Sequence, residues 1–123
     1  MRFLEYETWR LKKDIDMEAY DKIIKDWFAF VVKNRQELFP EWVSAKYYRK
    51  TDRDGNPNGL FVMMFEYESL EGHHVYKERR KDWDGPYEAY KAVDPYQEFF
   101  ELDSVTTEYL QPQEVESWFD FSK

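Results

Sequence analysis

The chain of 123 residues contains no cysteine. That excludes disulfides, thiolate nucleophiles and cysteine-ligated zinc. Glycine is scarce, with four in all, and no P-loop, Gly-rich dinucleotide fingerprint or G-x-S-x-G nucleophile turn can be assembled from them. No apolar run approaches the roughly 18 to 20 residues that cross a bilayer. The first residues, Met1-Arg2-Phe3-Leu4-Glu5-Tyr6-Glu7, interrupt any apolar stretch with carboxylates, so no signal peptide is expected there. Basic residues are outnumbered, 18 against 26 acidic ones, for a formal charge of −8. Neutralising a phosphate backbone needs Lys and Arg in excess, so a nucleic-acid partner is not expected. No membrane partner and a reducing, cytoplasmic location complete that set of expectations.

Aromatics are what the chain has in abundance: 10 Phe, 10 Tyr and 5 Trp, a fifth of all residues. Large aromatic bodies under a charged exterior fit a packed or cavity-lining aromatic interior. The segment Leu60 to Tyr67 is apolar on both faces of a strand. Leu60, Val62 and Met64 point one way, and Phe61, Met63, Phe65 and Tyr67 the other, because strand side chains alternate. Such a strand must be covered twice. In a chain this short, one cover is its own helices and the other a second copy of itself.

Phe3 to Leu11 reads as the first strand. Asp16 is placed to N-cap a helix, with Glu18 near its positive end. Met17, Tyr20, Ile24, Trp27, Val31 and Leu38 form its apolar stripe, widened by Ile23 and Phe28, and Pro40 stops it. Trp42 to Lys50 is the second strand. The turn formers Thr51 to Gly59 join it to the third as a hairpin. Ser69 caps a second helix from Leu70 to about Trp83. Asp84-Gly85-Pro86 interrupts it, Tyr87 to Val93 is a further helical piece, and Pro95 to Glu101 turns into the last strand, Val105 to Leu110. The order is β-α-β-β-α-β, a ferredoxin-like α+β fold with one four-stranded antiparallel sheet and helices on one face. One domain over residues 1–123 is expected, with 111–123 as a tail that docks through Trp118, Phe119 and Phe121. The open sheet face is expected to carry Phe61, Met63, Phe65, Tyr67, Phe3 and Trp9, and to pair with a second copy. Hiding such side chains, at about 25 cal/mol per Å2, is enough to drive dimerisation.

With that element order, and with Asp94-Pro95-Tyr96-Gln97-Glu98-Phe99-Phe100-Glu101 feeding the strand Val105 to Leu110, the chain resembles the dimeric α+β barrel superfamily. That superfamily includes antibiotic-biosynthesis-type monooxygenases, stress-responsive barrel proteins and NIPSNAP-like proteins. The resemblance implies a homodimer whose sheets meet as a barrel. It implies no single reaction, since the superfamily is functionally mixed. Haem-degrading members use a helix-borne histidine as iron ligand, together with an asparagine on the first strand. His73 could stand for the former, but Leu4 to Arg10 contains no asparagine, so no haem or other cofactor is expected.

His73 shares a helix face with Tyr76, Arg80, Trp83 and Tyr87, while His74 diverges by about 100°, so the two do not form a metal site. Asp52-Arg53-Asp54-Gly55-Asn56 has the look of a calcium loop, yet the positions for glycine and bidentate glutamate hold Pro57 and Met63. Gly59 to Phe65 departs from the RNA-recognition signature, with Asn58 for its basic residue and Leu60 for its first aromatic. Lys77-Glu78-Arg79-Arg80-Lys81 could meet an anionic ligand or form a solvated helix face.

If Phe61, Met63, Phe65 and Tyr67 face inward, the first strand adds Phe3, Glu5, Glu7 and Trp9. The second strand adds either Ser44, Lys46 and Tyr48 or Val43, Ala45, Tyr47 and Arg49. Carboxylates facing a dry interior need partners or shifted pKa values. The expected site therefore has Glu7 and His73 as acid–base groups and Trp9, Tyr67, Phe65 and Phe61 as binding residues, between the sheet and the second helix. Its ligand would be an apolar or aromatic compound, and its chemistry that of a cofactor-independent monooxygenase-like, isomerase-like or decarboxylase-like enzyme. The alternative is a non-catalytic homodimeric module with a filled interior. A cavity of roughly 300 Å3 or more with convergent polar groups distinguishes the first from the second.

Overall fold

The computed structural model describes residues 1–113 and 118–122. Strands β1 (Phe3–Arg10), β2 (Trp42–Thr51), β3 (Pro57–Tyr67) and β4 (Thr106–Leu110) form one antiparallel sheet in the order β2-β3-β1-β4. Helices α1 (Met17–Lys33), α2 (Arg35–Leu38), α3 (Leu70–Arg80) and α4 (Tyr96–Phe99) complete the ferredoxin-like β-α-β-β-α-β arrangement, with short 3-10 turns at Glu88–Val93 and Leu102–Ser104.

The α1 helix starts where Asp16 accepts from the Glu18 and Ala19 amides, and Glu18 and Lys33 sit favourably at its positive and negative ends. Tyr20, Ile24, Trp27 and Val31 are its buried stripe. Met17, expected on that stripe, is 48% exposed at the first turn, and the helix breaks at Asn34 before one further turn buries Leu38. Ser69 caps α3 by accepting from the Gly72 amide, and the helix ends at Arg80, short of Trp83. In the β2–β3 hairpin, Asp52 accepts from the amides of Asp54 and Asn56 while Gly55 takes φ +87°. That left-handed conformation suits glycine.

Register corrects one expectation. Phe3, Glu5, Glu7 and Trp9 of β1 stand opposite Tyr67, Phe65, Met63 and Phe61 of β3. This row packs under the protomer's own helices and is not the open face. Phe65 meets Trp27 of α1, Tyr67 meets Tyr76 of α3, and Trp9 is 1% exposed beneath Tyr20 and Phe100. The physical reason is bulk. The row with the larger rings is the one that can fill the space beneath the equally aromatic helix stripes. The open face is the smaller row: Leu4, Tyr6 and Thr8 beside Leu60, Val62 and Met64. A register shift between Trp42 and Ser44 settles the second strand, placing Ala45, Tyr47 and Arg49 with the helix-side row and Ser44, Lys46 and Tyr48 on the open face.

Candidate functional site

Between the sheet and the helices lies a cavity of about 50 Å3. Its floor comes from alternate residues of the two central strands, Glu5, Glu7 and Trp9 of β1 and Met63, Phe65 and Tyr67 of β3. Ile24 and Trp27 of α1 and Trp42 of β2 close one side. Tyr76, Lys77 and Arg80, spaced along one face of α3, close another, and Tyr90, Pro95, Tyr96 and Phe100 complete the wall. Its half-exposed polar members, Glu7, Lys77, Arg80 and Tyr96, mark the side nearest solvent.

Glu5 is 3% exposed and well partnered. The Tyr67 hydroxyl donates to its Oε1 at 2.9 Å and Lys77 Nζ to its Oε2 at 3.2 Å. Glu7, two residues along, accepts from the Tyr96 hydroxyl. Burial raises the Glu7 pKa above the ordinary 4.5; the Tyr96 hydrogen bond opposes that rise and the neighbouring Glu5 charge adds to it. Burial pushes the Tyr67 and Tyr96 phenols up as well, reinforced by Glu5 and Glu7 respectively, so both remain protonated donors at neutral pH.

The structure brings Glu7, Trp9, Phe65 and Tyr67 to this cavity and leaves His73 and Phe61 outside its lining. Phe61 stacks on Tyr47 at 5.8 Å and on Trp9 at 6.4 Å, one layer behind. His73 lies on the same side of the sheet as Glu7 but behind Glu5, its Nε2 3.5 Å from Glu5 Oε1, at the outer edge of hydrogen-bond reach. The rings of Phe3, Tyr67 and Tyr109 enclose it. Burial pushes its imidazole below the ordinary 6.5 against the pull of Glu5, so it is neutral at pH 7.

Sequence reasoning missed Glu5 as the charged anchor, and it missed the roles of Lys77, Tyr90 and Tyr96. The signal for Lys77 was its position one turn beyond His73 on α3. Tyr96 gave no local signal, because only the tertiary fold brings it 89 residues along the chain to Glu7. The basic run resolves residue by residue. Arg79 makes two hydrogen bonds to Glu41, at 2.9 and 2.5 Å, Lys81 pairs with Glu78 at 2.9 Å, and Lys77 takes Glu5. Arg80 is left to the cavity.

Three buried side chains find no hydrogen-bond partner among the described residues: Trp42 through Nε1, Tyr76 through its hydroxyl, and His73 through both ring nitrogens. No cluster of three or more His, Asp or Glu among those residues is disposed to hold a metal ion. No helix among them is long and apolar enough to cross a membrane.

No protein-family model matches the chain, and no curated protein matches it. Solved structures do. A NIPSNAP family protein from Agrobacterium tumefaciens superposes with a TM-score of 0.59 at 19% identity, covering 94% of this chain and 96% of that one. A dimeric protein of ferredoxin-like fold from Bacteroides fragilis gives 0.56 at 11% identity over 89% and 95% of the two chains. A mutant form of a cofactor-independent oxygenase from Streptomyces nogalater gives 0.56 at 10% identity over 92% and 94%. At these identities the likeness is one of fold, the ferredoxin-like fold that the element order predicts.

Proposed function

We propose that the protein is a homodimer in which each protomer binds a small molecule between the sheet and α3, with Glu7 exchanging a proton with the bound compound. One observation carries this reading. Two carboxylates, two cations and four tyrosines converge on an otherwise apolar interior. A space that served only as packing would be lined by apolar groups, since each buried polar group costs free energy unless it is partnered. Glu7 is the acid–base group because burial moves its pKa toward neutrality. Arg80 offsets negative charge that develops on the ligand, while Lys77 holds Glu5. Trp9, Tyr67 and Phe65 hold its body. His73 acts at one remove, as a positioning residue behind Glu5. The reaction class is proton transfer from a weakly acidic C–H or O–H, the step that isomerase-like, decarboxylase-like and cofactor-independent oxygenase-like chemistries share. The oxygenase of the same fold supports that range without transferring any residue.

The dimer is supported by the unpaired apolar row on the open face and by the dimeric neighbours. A cytoplasmic location accords with the lack of cysteine.

One observation favours the alternative of a non-catalytic homodimeric module. The cavity volume of about 50 Å3 falls below the roughly 300 Å3 of a typical ligand pocket. A thermal-shift screen with small acids, amides, ketones and phenols at millimolar concentration separates the two. A ligand at a hundred times its Kd adds about 2.7 kcal/mol of stability, which for a domain of this length is a rise of several degrees. At least one class is expected to produce that rise. A flat response across all four classes favours the filled module.

A further inference from the structure

We propose that the cavity selects a small monocarboxylate, with Arg80 pairing to the carboxylate and the Tyr76 hydroxyl donating to it. This rests on the ligand-binding reading above and names the ligand class.

Arg80 is the observation that calls for an anion. It lines the cavity, yet its guanidinium makes no side-chain hydrogen bond or ion pair with any described residue. It is held instead over the rings of Trp83 and Tyr90, at 5.3 and 5.4 Å from their centroids. That contact orients the planar group without using its N–H donors, and a guanidinium fork matches a carboxylate in two parallel hydrogen bonds.

The other cavity cation, Lys77, is already committed to Glu5 at 3.2 Å. The carboxylates that could compete for Arg80 are Glu7 and Asp94, and neither comes within ion-pairing distance of it. Glu7 accepts from Tyr96, and Asp94 accepts from the Tyr96 amide at 3.0 Å. Burial raises the pKa of both, which weakens each as a counter-charge.

Tyr76 supplies the second, independent observation. It is 1% exposed, lines the same cavity, and its hydroxyl has no partner among the described residues. A buried donor left unpaired costs about 1–3 kcal/mol. A ligand oxygen beside it recovers that cost, and burial keeps this phenol protonated as a donor.

Size narrows the class further. A water-sized centre takes about 10–15 Å3 of cavity, so about 50 Å3 holds roughly four of them. That is room for a carboxylate and one or two carbons, with a longer body extending toward the half-exposed side.

The test compares propionate with its neutral isostere propionamide, by calorimetric titration of the full chain. Propionate is expected to bind at least tenfold more tightly. Arg80→Gln is expected to abolish that preference, and Tyr76→Phe to weaken propionate severalfold while leaving the melting temperature unchanged or raised. Should Arg80→Gln fail to fold, Arg80→Lys keeps the charge without the fork and is expected to reduce the preference severalfold. Equal binding of the two probes would overturn the carboxylate assignment and leave the cavity reading standing. A preference that survives Arg80→Gln, or that Arg80→Lys leaves undiminished where the first variant does not fold, would overturn the assignment of the cation. Binding of neither probe would overturn the carboxylate assignment. A flat four-class screen beside it would bring down the cavity reading as well.

Discussion

Glu7 shows how a single residue couples stability to the candidate site. Its carboxyl is raised above the ordinary 4.5, chiefly by burial. The native state therefore keeps a proton at pH values where the unfolded chain has lost it. Unfolding then releases that proton, and the contribution of Glu7 to stability falls as pH rises from about 4.5 through its folded value. Above that folded value the whole penalty is present. Glu7→Gln, which still accepts from Tyr96, is expected to stabilise the protein more at pH 7 than at pH 4, with the gain vanishing below the ordinary glutamate range. Chemical denaturation across pH 4 to 8 checks this, and a variant less stable than wild type at pH 7 would contradict it. Glu7, Trp9 and Tyr67 were legible as cavity residues because strand alternation alone puts them on one face. Tyr76 and Arg80 were legible as a shared helix face. Tyr96 was not, and Glu5 was legible on that face but not in its anchoring role. The partner of the first lies on a strand far away in the chain, and the importance of the second rests on three neighbours that only packing supplies.

Between elements, the sequence misled at one point, the choice of sheet face. Alternation separates Phe61, Met63, Phe65 and Tyr67 from Leu60, Val62 and Met64, but it says nothing of which row meets the helices. Counting apolar bulk pointed the larger row at a second copy. The helices carry aromatic stripes of their own, Tyr20 and Trp27 on α1 and Tyr76 on α3, and these need a matching aromatic floor. The two neighbouring residues Met64 and Phe65 therefore have opposite fates. Phe65→Glu sets a carboxylate against Trp27 and Trp42, whose rings lie 6.0 and 5.1 Å from that of Phe65. It is expected to destabilise the protomer by about 3–5 kcal/mol. Met64→Glu, on the open face, is expected to leave the protomer fold intact. Denaturant unfolding of both variants checks this, and equal destabilisation by the two would show that both rows are core.

At the scale of the whole molecule, the open face and the tail concern assembly. Leu4, Leu60 and Met64 stay half-exposed in the single chain, around a buried Val62. Sedimentation at micromolar concentration is expected to give twice 15.2 kDa for the wild type and 15.2 kDa for Met64→Glu. A monomeric wild type would remove the barrel. The docking of residues 111–123 is in part beyond the described residues, since 114–117 and 123 are not among them. Trp118, Phe119 and Phe121 are 59%, 81% and 88% exposed in the single chain, so a docked tail would require the partner subunit as its surface.

The central claim is that the ligand enters the interior of each protomer and not the space between paired sheets. The indole N–H signals of Trp9, Trp27 and Trp42 report on it directly, since all three residues line the cavity while Trp118 is exposed on the tail. In two-dimensional NMR, titration with a compound that stabilises the protein is expected to shift those three signals and leave Trp118 and the amides of Leu60, Val62 and Met64 in place. Shifts confined to the open-face amides or to Trp118, with the three cavity indoles unmoved, would contradict it.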